Sequence, residues 1–90
     1  MNKKFDIRNF LNGLIWNPHI NPSEYIIKYV SRGAIGDAET VTGDKILTVY
    51  HRGFDVKSDF GKSKYIPFHR IIEIRKTDGT LIFRSPRHSS

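Results

Sequence analysis

Apolar residues fall at Ile7, Phe10, Leu11, Leu14 and Ile15, the i, i+3, i+4, i+7, i+8 spacing of one helical face. That stripe predicts a helix over residues 7–16, and every later segment reads as strand or turn. Asp6 suits the N-cap, because its carboxylate can accept from free amides of the first turn. Phe5 before the cap and Phe10 inside the helix have the spacing of a hydrophobic staple. Gly13 weakens the helix by about 1 kcal/mol relative to alanine. Asn17-Pro18 ends it, since the residue before proline avoids helical angles. Trp16, at the end of the stripe, reads as a core residue, with stacking on a nucleobase as the alternative.

Beyond the helix the signals change to those of strands. His19 to Glu24 reads as a turn, and Tyr25 to Ser31 as a strand rich in β-branched and aromatic residues. A loop with two glycines, Arg32 to Asp37, precedes a short strand at Glu39 to Thr42 and a turn at Gly43-Asp44. Ile46 to Arg52 follows as a strand, with Leu47, Val49 and His51 on one face and Thr48, Tyr50 and Arg52 on the other. Gly53 is expected to mark a bulge. Ser58 to Ser63 reads as a polar loop in which Phe60 has no evident place. Ile71 to Lys76 and Thr80 to Arg84 flank Asp78-Gly79, a favoured two-residue hairpin turn. Such a turn pairs Thr77 with Thr80, sets Ile74 opposite Phe83, and sets Glu73 opposite Arg84. The last pair is worth about 0.2–1 kcal/mol. The fold class is therefore α+β: one N-terminal helix packed on an antiparallel sheet of about four or five strands, ending in a β-hairpin. The helix should bury Phe10, Leu11 and Leu14 against Ile72, Ile74 and Phe83. Residues 1–84 form one domain, and residues 85–90 are expected to be a fraying tail.

Ninety residues allow one core, and with no cysteine that core must hold without disulfides or thiolate metal sites. The apolar fraction of 38% is enough for a packed interior and too high for a disordered chain. No segment is apolar for long enough to span a bilayer, and none resembles a signal peptide. A cytoplasmic location is expected. The net charge of +6 is unevenly spread: residues 61–90 carry seven Lys or Arg against two acids. A basic excess of this kind favours polyanionic partners through steering and counterion release.

Several groups of residues bear on chemistry. In Ile66-Pro67-Phe68-His69-Arg70-Ile71, strand parity with Ile72 and Ile74 would start Arg70 on the core side. A guanidinium there needs an anion, either an internal carboxylate or a bound phosphate. Arg32-Gly33-Ala34-Ile35-Gly36-Asp37 can present backbone amides to an anion, although an ordinary glycine loop explains the same residues. His51 joins His69 as a possible acid/base pair, provided the two meet. No metal-ligand spacing, cofactor motif or nucleophile motif is present.

The order of these elements and the two motifs resemble the RNA cyclic group end recognition domain, a small and largely archaeal family once grouped among uncharacterised conserved proteins. The resemblance covers about residues 6–84. It departs from the common pattern at Ile35, where many relatives have proline, and at Phe68, where tyrosine is frequent. It implies binding to RNA termini that carry a cyclic phosphate, with the role falling on Arg32, Gly33, Gly36 and Asp37 in the loop and on His69 and Arg70 in the second motif. The expected function is non-catalytic recognition of phosphate at RNA ends, with RNA as partner and no cofactor. A metal-independent nuclease or cyclic phosphodiesterase using His69 and His51 is one alternative. A basic protein-interaction module is another.

Overall fold

A computed structural model describes residues 5–58 and 61–86. The helix, α1, spans Ile7–Trp16. Its first turn is capped by Asp6, whose Oδ1 accepts from the Asn9 amide at 3.0 Å. The Phe5 and Phe10 rings meet at 5.3 Å, closing the staple, and Phe5 stacks onward on Phe83 at 4.9 Å. Asn17 leaves helical geometry at φ −85°, ψ 112°. Leu11 and Leu14 are buried, but Trp16 is 79% exposed and is not a core residue. The reason lies in the helical period: at about 100° per residue, Trp16 falls opposite Ile7 on the helix circumference.

Among the described residues seven strands follow, more than the four or five expected, and they form two antiparallel sheets. They are β1 (Tyr25–Val30), β2 (Ala38–Thr42), β3 (Ile46–Val49), β4 (Gly53–Lys57), β5 (Ser63–Pro67), β6 (Ile71–Lys76) and β7 (Leu81–Arg84). One sheet has the order β2-β1-β6-β7 and the other β3-β4-β5. The three-stranded sheet is thus inserted whole between β2 and β6. The chain crosses between sheets at two 3₁₀ turns, Gly43–Lys45 and Phe68–Arg70. Both sheets and the helix feed one core: Leu11, Leu14, Ile27, Tyr29, Ile46, Phe54, Val56, Ile66, Ile71 and Ile74. Each fully buried aliphatic or Phe side chain contributes about 1.5–3 kcal/mol.

The helix does bury Leu11 and Leu14 in the cluster that holds Ile74, with Phe10 and Phe83 partly buried against it. Ile71 takes the place expected for Ile72. A register shift makes Lys28 pair with Glu73 and Tyr29 with Ile71, so Ile72 is skipped and the buried positions fall three apart. Strand β3 stops at Val49 rather than running to Arg52. A register shift between Ile46 and Thr48 leaves Leu47 52% exposed. Gly53 is no bulge; it opens β4, which pairs along its whole length with β5. Ser63 accordingly belongs to a strand, and Phe60 lies outside the described residues.

The closing hairpin reaches its expected register by another route. Lys76 rather than Thr77 pairs with Thr80: the Lys76 amide donates to the Thr80 carbonyl at 2.8 Å, and the Gly79 amide donates to the Lys76 carbonyl at 2.9 Å. Gly79, at φ 97°, then makes the bulge that follows a type I turn. A second shift between Ile74 and Arg75 skips Ile82 and restores Ile74 to Phe83 and Glu73 to Arg84. Past β7, the Ser85 amide still donates to the Ile72 carbonyl at 2.8 Å, and residues 87–90 lie outside the described residues.

Candidate nucleic-acid interface

The Arg32–Asp37 loop leaves the end of β1 and closes on itself. The Ser31 amide donates to the Asp37 carbonyl at 2.9 Å, and the Asp37 amide donates to the Ala34 carbonyl at 2.9 Å. Gly33 and Gly36 adopt φ of 90° and 72°. A Cβ would meet nothing within 4 Å at either position, so left-handed geometry rather than lack of space calls for glycine. Asp37 follows at φ 54°, a conformation that aspartate tolerates better than most side chains.

The second motif forms the corner from β5 into β6. Arg70 is exposed, contrary to the parity argument, because residues 68–70 are a 3₁₀ turn and not the first pleats of a strand. Arg70 and Arg32 line one cleft of about 190 Å³, together with Tyr29, Ser31, Lys64 and Tyr65. This is smaller than the roughly 300–1,000 Å³ typical of pockets that enclose a drug-sized ligand. It suits a charged terminal group whose remainder lies outside. None of the ion pairs among the described residues involves Arg32 or Arg70. Each guanidinium offers a planar fork of donors suited to phosphate oxygens.

Lys64 forms the wall between this cleft and an adjoining one of about 430 Å³ that Lys45 and Lys57 also line. Its Nζ donates to Glu39 Oε2 at 3.2 Å, and the Tyr29 hydroxyl donates to the same oxygen at 3.1 Å. The Ser31 hydroxyl, Lys64 and Tyr29 together hold the Glu39 carboxyl below the usual range. Burial and the hydrogen bond to Glu39 push the Tyr29 phenol up. Burial opposes the charge on Lys64, but Glu39 and Tyr29 outweigh it and the ammonium pKa is raised.

Of the six residues named from the sequence, the cleft therefore unites Arg32 and Arg70. Gly33, Gly36 and Asp37 shape the loop without lining the cleft. His69, also exposed, lines a separate pocket of about 440 Å³ with Ile7, Phe68, Ile71 and Phe83. His51 lines another, of about 600 Å³, beside the start of α1. Phe68 and Ile7 are walls common to those two pockets. Sequence reasoning missed Lys64 and Tyr65 because β5 was not read as a strand. Its pairing partner, with Phe54 and Val56 alternating against Gly53, Asp55 and Lys57, carried the usable period-2 signal. Among the described residues no group of three or more His, Asp or Glu could hold a metal ion. Nor, among the described residues, is any helix long and apolar enough to cross a membrane.

The fold and cleft define a small helix-led α+β domain of two antiparallel sheets, with a basic cleft between the β1–β2 loop and the β5–β6 corner. Residues 5–84 match the model of the MJ1316 RNA cyclic group end recognition domain, and the chain belongs to that family. It is similar to UPF0248 protein MMP0286 of Methanococcus maripaludis, at 38% identity over 79 residues, covering 87% of this chain and 96% of that protein. A UPF0248 protein of Pyrobaculum calidifontis is 33% identical over 76 residues, covering 84% of this chain and 92% of the relative. No solved structure matches.

Proposed function

We propose that this chain binds RNA ends that carry a phosphate, including a 2′,3′-cyclic phosphate, and that it does so without catalysis. The observation that carries the reading is that two arginines from motifs far apart in sequence line one small cleft, with no carboxylate among the described residues paired to either. In this reading Arg32 and Arg70 grip the non-bridging phosphate oxygens, and Lys64 adds positive potential at the cleft wall. The glycines and Asp37 hold the loop so that Arg32 faces Arg70. His69, next to Arg70 in the same corner but lining the separate pocket, contacts the ribose or the preceding nucleotide rather than the gripped oxygens. A chain without cysteine suits the reducing conditions of the cytoplasm.

Short single-stranded RNAs ending in cyclic phosphate, 3′-phosphate or hydroxyl provide the test. Phosphorylated ends should bind more tightly, and affinity should fall as salt rises. Arg70→Ala should weaken phosphate-end binding by about 1.5–3 kcal/mol, the range for a hydrogen bond to a charged group. Equal affinity for phosphorylated and hydroxyl ends would reduce the cleft to a nonspecific basic surface. Turnover of the cyclic phosphate that is lost in His69→Ala would replace the binding reading with an enzymatic one. An enzyme of that kind needs an acid and a base on one phosphate, and the two histidines line different pockets.

A further inference from the structure

Tyr65 stands in the cleft wall beside Arg32 and Arg70 and is 49% exposed. Its position is fixed from below. The tip of its ring lies over Gly53, where an added Cβ would come within 2.4 Å of the Tyr65 hydroxyl oxygen and 2.5 Å of Cζ. Gly53 does not have a positive φ, so space rather than backbone geometry requires glycine here. From the side, the Tyr50 ring meets Tyr65 at 6.0 Å with a tilt of 51°. Tyr50 is itself tethered, since its hydroxyl donates to Asp55 Oδ2 at 2.8 Å. The fold thus holds an aromatic ring half in solvent at the edge of a cationic cleft.

We infer that Tyr65 is a stacking platform for the base of the terminal nucleotide, an inference that rests on the RNA-end reading. A phosphate held by Arg32 and Arg70 leaves its own nucleoside outside so small a cleft, and Tyr65 is the aromatic surface at that rim. Stacking on one ring accepts any base, so the site selects the end of an RNA and not its sequence.

The test uses short single-stranded RNAs ending in 3′-phosphate, whose last nucleoside carries either 2-aminopurine or no base. Wild-type protein should quench the 2-aminopurine fluorescence and bind the base-bearing end roughly 5- to 150-fold more tightly than the abasic one, the range for one stacked base. Tyr65→Ala and Tyr65→Leu should lose that preference while still favouring phosphate over hydroxyl ends. Tyr65→Phe should retain it. The leucine variant keeps apolar bulk on the strand, so a loss shared by both variants identifies the ring. If wild-type protein binds abasic and base-bearing ends equally yet still prefers phosphate, the platform is refuted and the end reading survives. If it does not distinguish phosphate from hydroxyl, both fall.

Discussion

The two corners where the chain changes sheets share a backbone plan and differ in use. Thr42 and Pro67 enter them extended, at φ −83°, ψ 153° and φ −64°, ψ 145°. Ile46 and Ile71 leave at φ −68°, ψ 125° and φ −69°, ψ 125°, each amide bonded back to the first carbonyl of its 3₁₀ turn. Both isoleucines are buried. The third residue of each turn is basic, and each lines a cleft: Lys45 in the larger and Arg70 in the smaller. The first residue makes the difference. Gly43 is buried against Leu14 and the Pro22 carbonyl, whereas Phe68 packs on Phe54 at 6.1 Å; in both corners the second and third residues are exposed. The first corner thus packs its leading residue on Leu14 of the helix, and the second packs its leading residue on the three-stranded sheet.

The comparison breaks most readily at the helix. Leu14 is 2% exposed and is the side chain that faces Gly43. Leu14→Ala should destabilise by about 2–5 kcal/mol, read from urea unfolding. Gly43→Ala should cost about 1–3 kcal/mol by overpacking, because its Cβ would meet the Pro22 carbonyl oxygen at 2.6 Å. A neutral result there would mean that the two corners tolerate side chains equally. At the second corner, the positions that face outward should separate from Phe68. Arg70→Ala should change stability by no more than about 0.5 kcal/mol, even as it impairs RNA-end binding.

A smaller, pH-dependent effect belongs to β6, just past the second corner. Hydrogen bonding from Arg75 holds the Glu73 carboxyl below the usual range, against a burial penalty and with help from the charges of Arg84 and Lys28. The unfolded chain therefore binds the proton more readily than the folded one. This contribution is complete above the ordinary glutamate value of about 4.3 and is lost as pH falls through the lower folded value. Chemical unfolding across that acidic range should show less loss in Glu73→Gln. High salt should flatten the difference, since the pair is partly exposed.

Local signals account for what could be read before the structure. Helix α1 was legible because its stripe, Asp6 cap, Phe5–Phe10 staple and Asn17-Pro18 stop all agree. Strand β5 was obscured because Ser63 and Lys64 leave it little apolar run of its own, and it becomes a strand by pairing along its length with β4, whose alternation was legible. The skipped residues Ile72 and Ile82 follow from how neighbouring strands register, and alternation along a single strand carries no trace of them. For the site, the motifs named the two arginines, and convergence of loop and corner is a property of the β1–β6 pairing. Lys64 and Tyr65 were hidden along with β5.

That pairing also sets an order of events during folding. Strands β3, β4 and β5 join near neighbours in sequence, but β1 must find β6 across all of β2 to β5. Closing so long a segment is entropically slow, and prior zipping of the three-stranded sheet shortens it. Arg32 lies just beyond one of the late partners and Arg70 just ahead of the other. On that argument from loop closure the cleft should form late, and a chain with β1 and β6 still apart would have both arginines without the cleft that unites them. Ligand that binds only the finished cleft draws the population toward it by mass action, so on the proposed RNA-end reading a bound RNA end should raise the melting temperature of this domain.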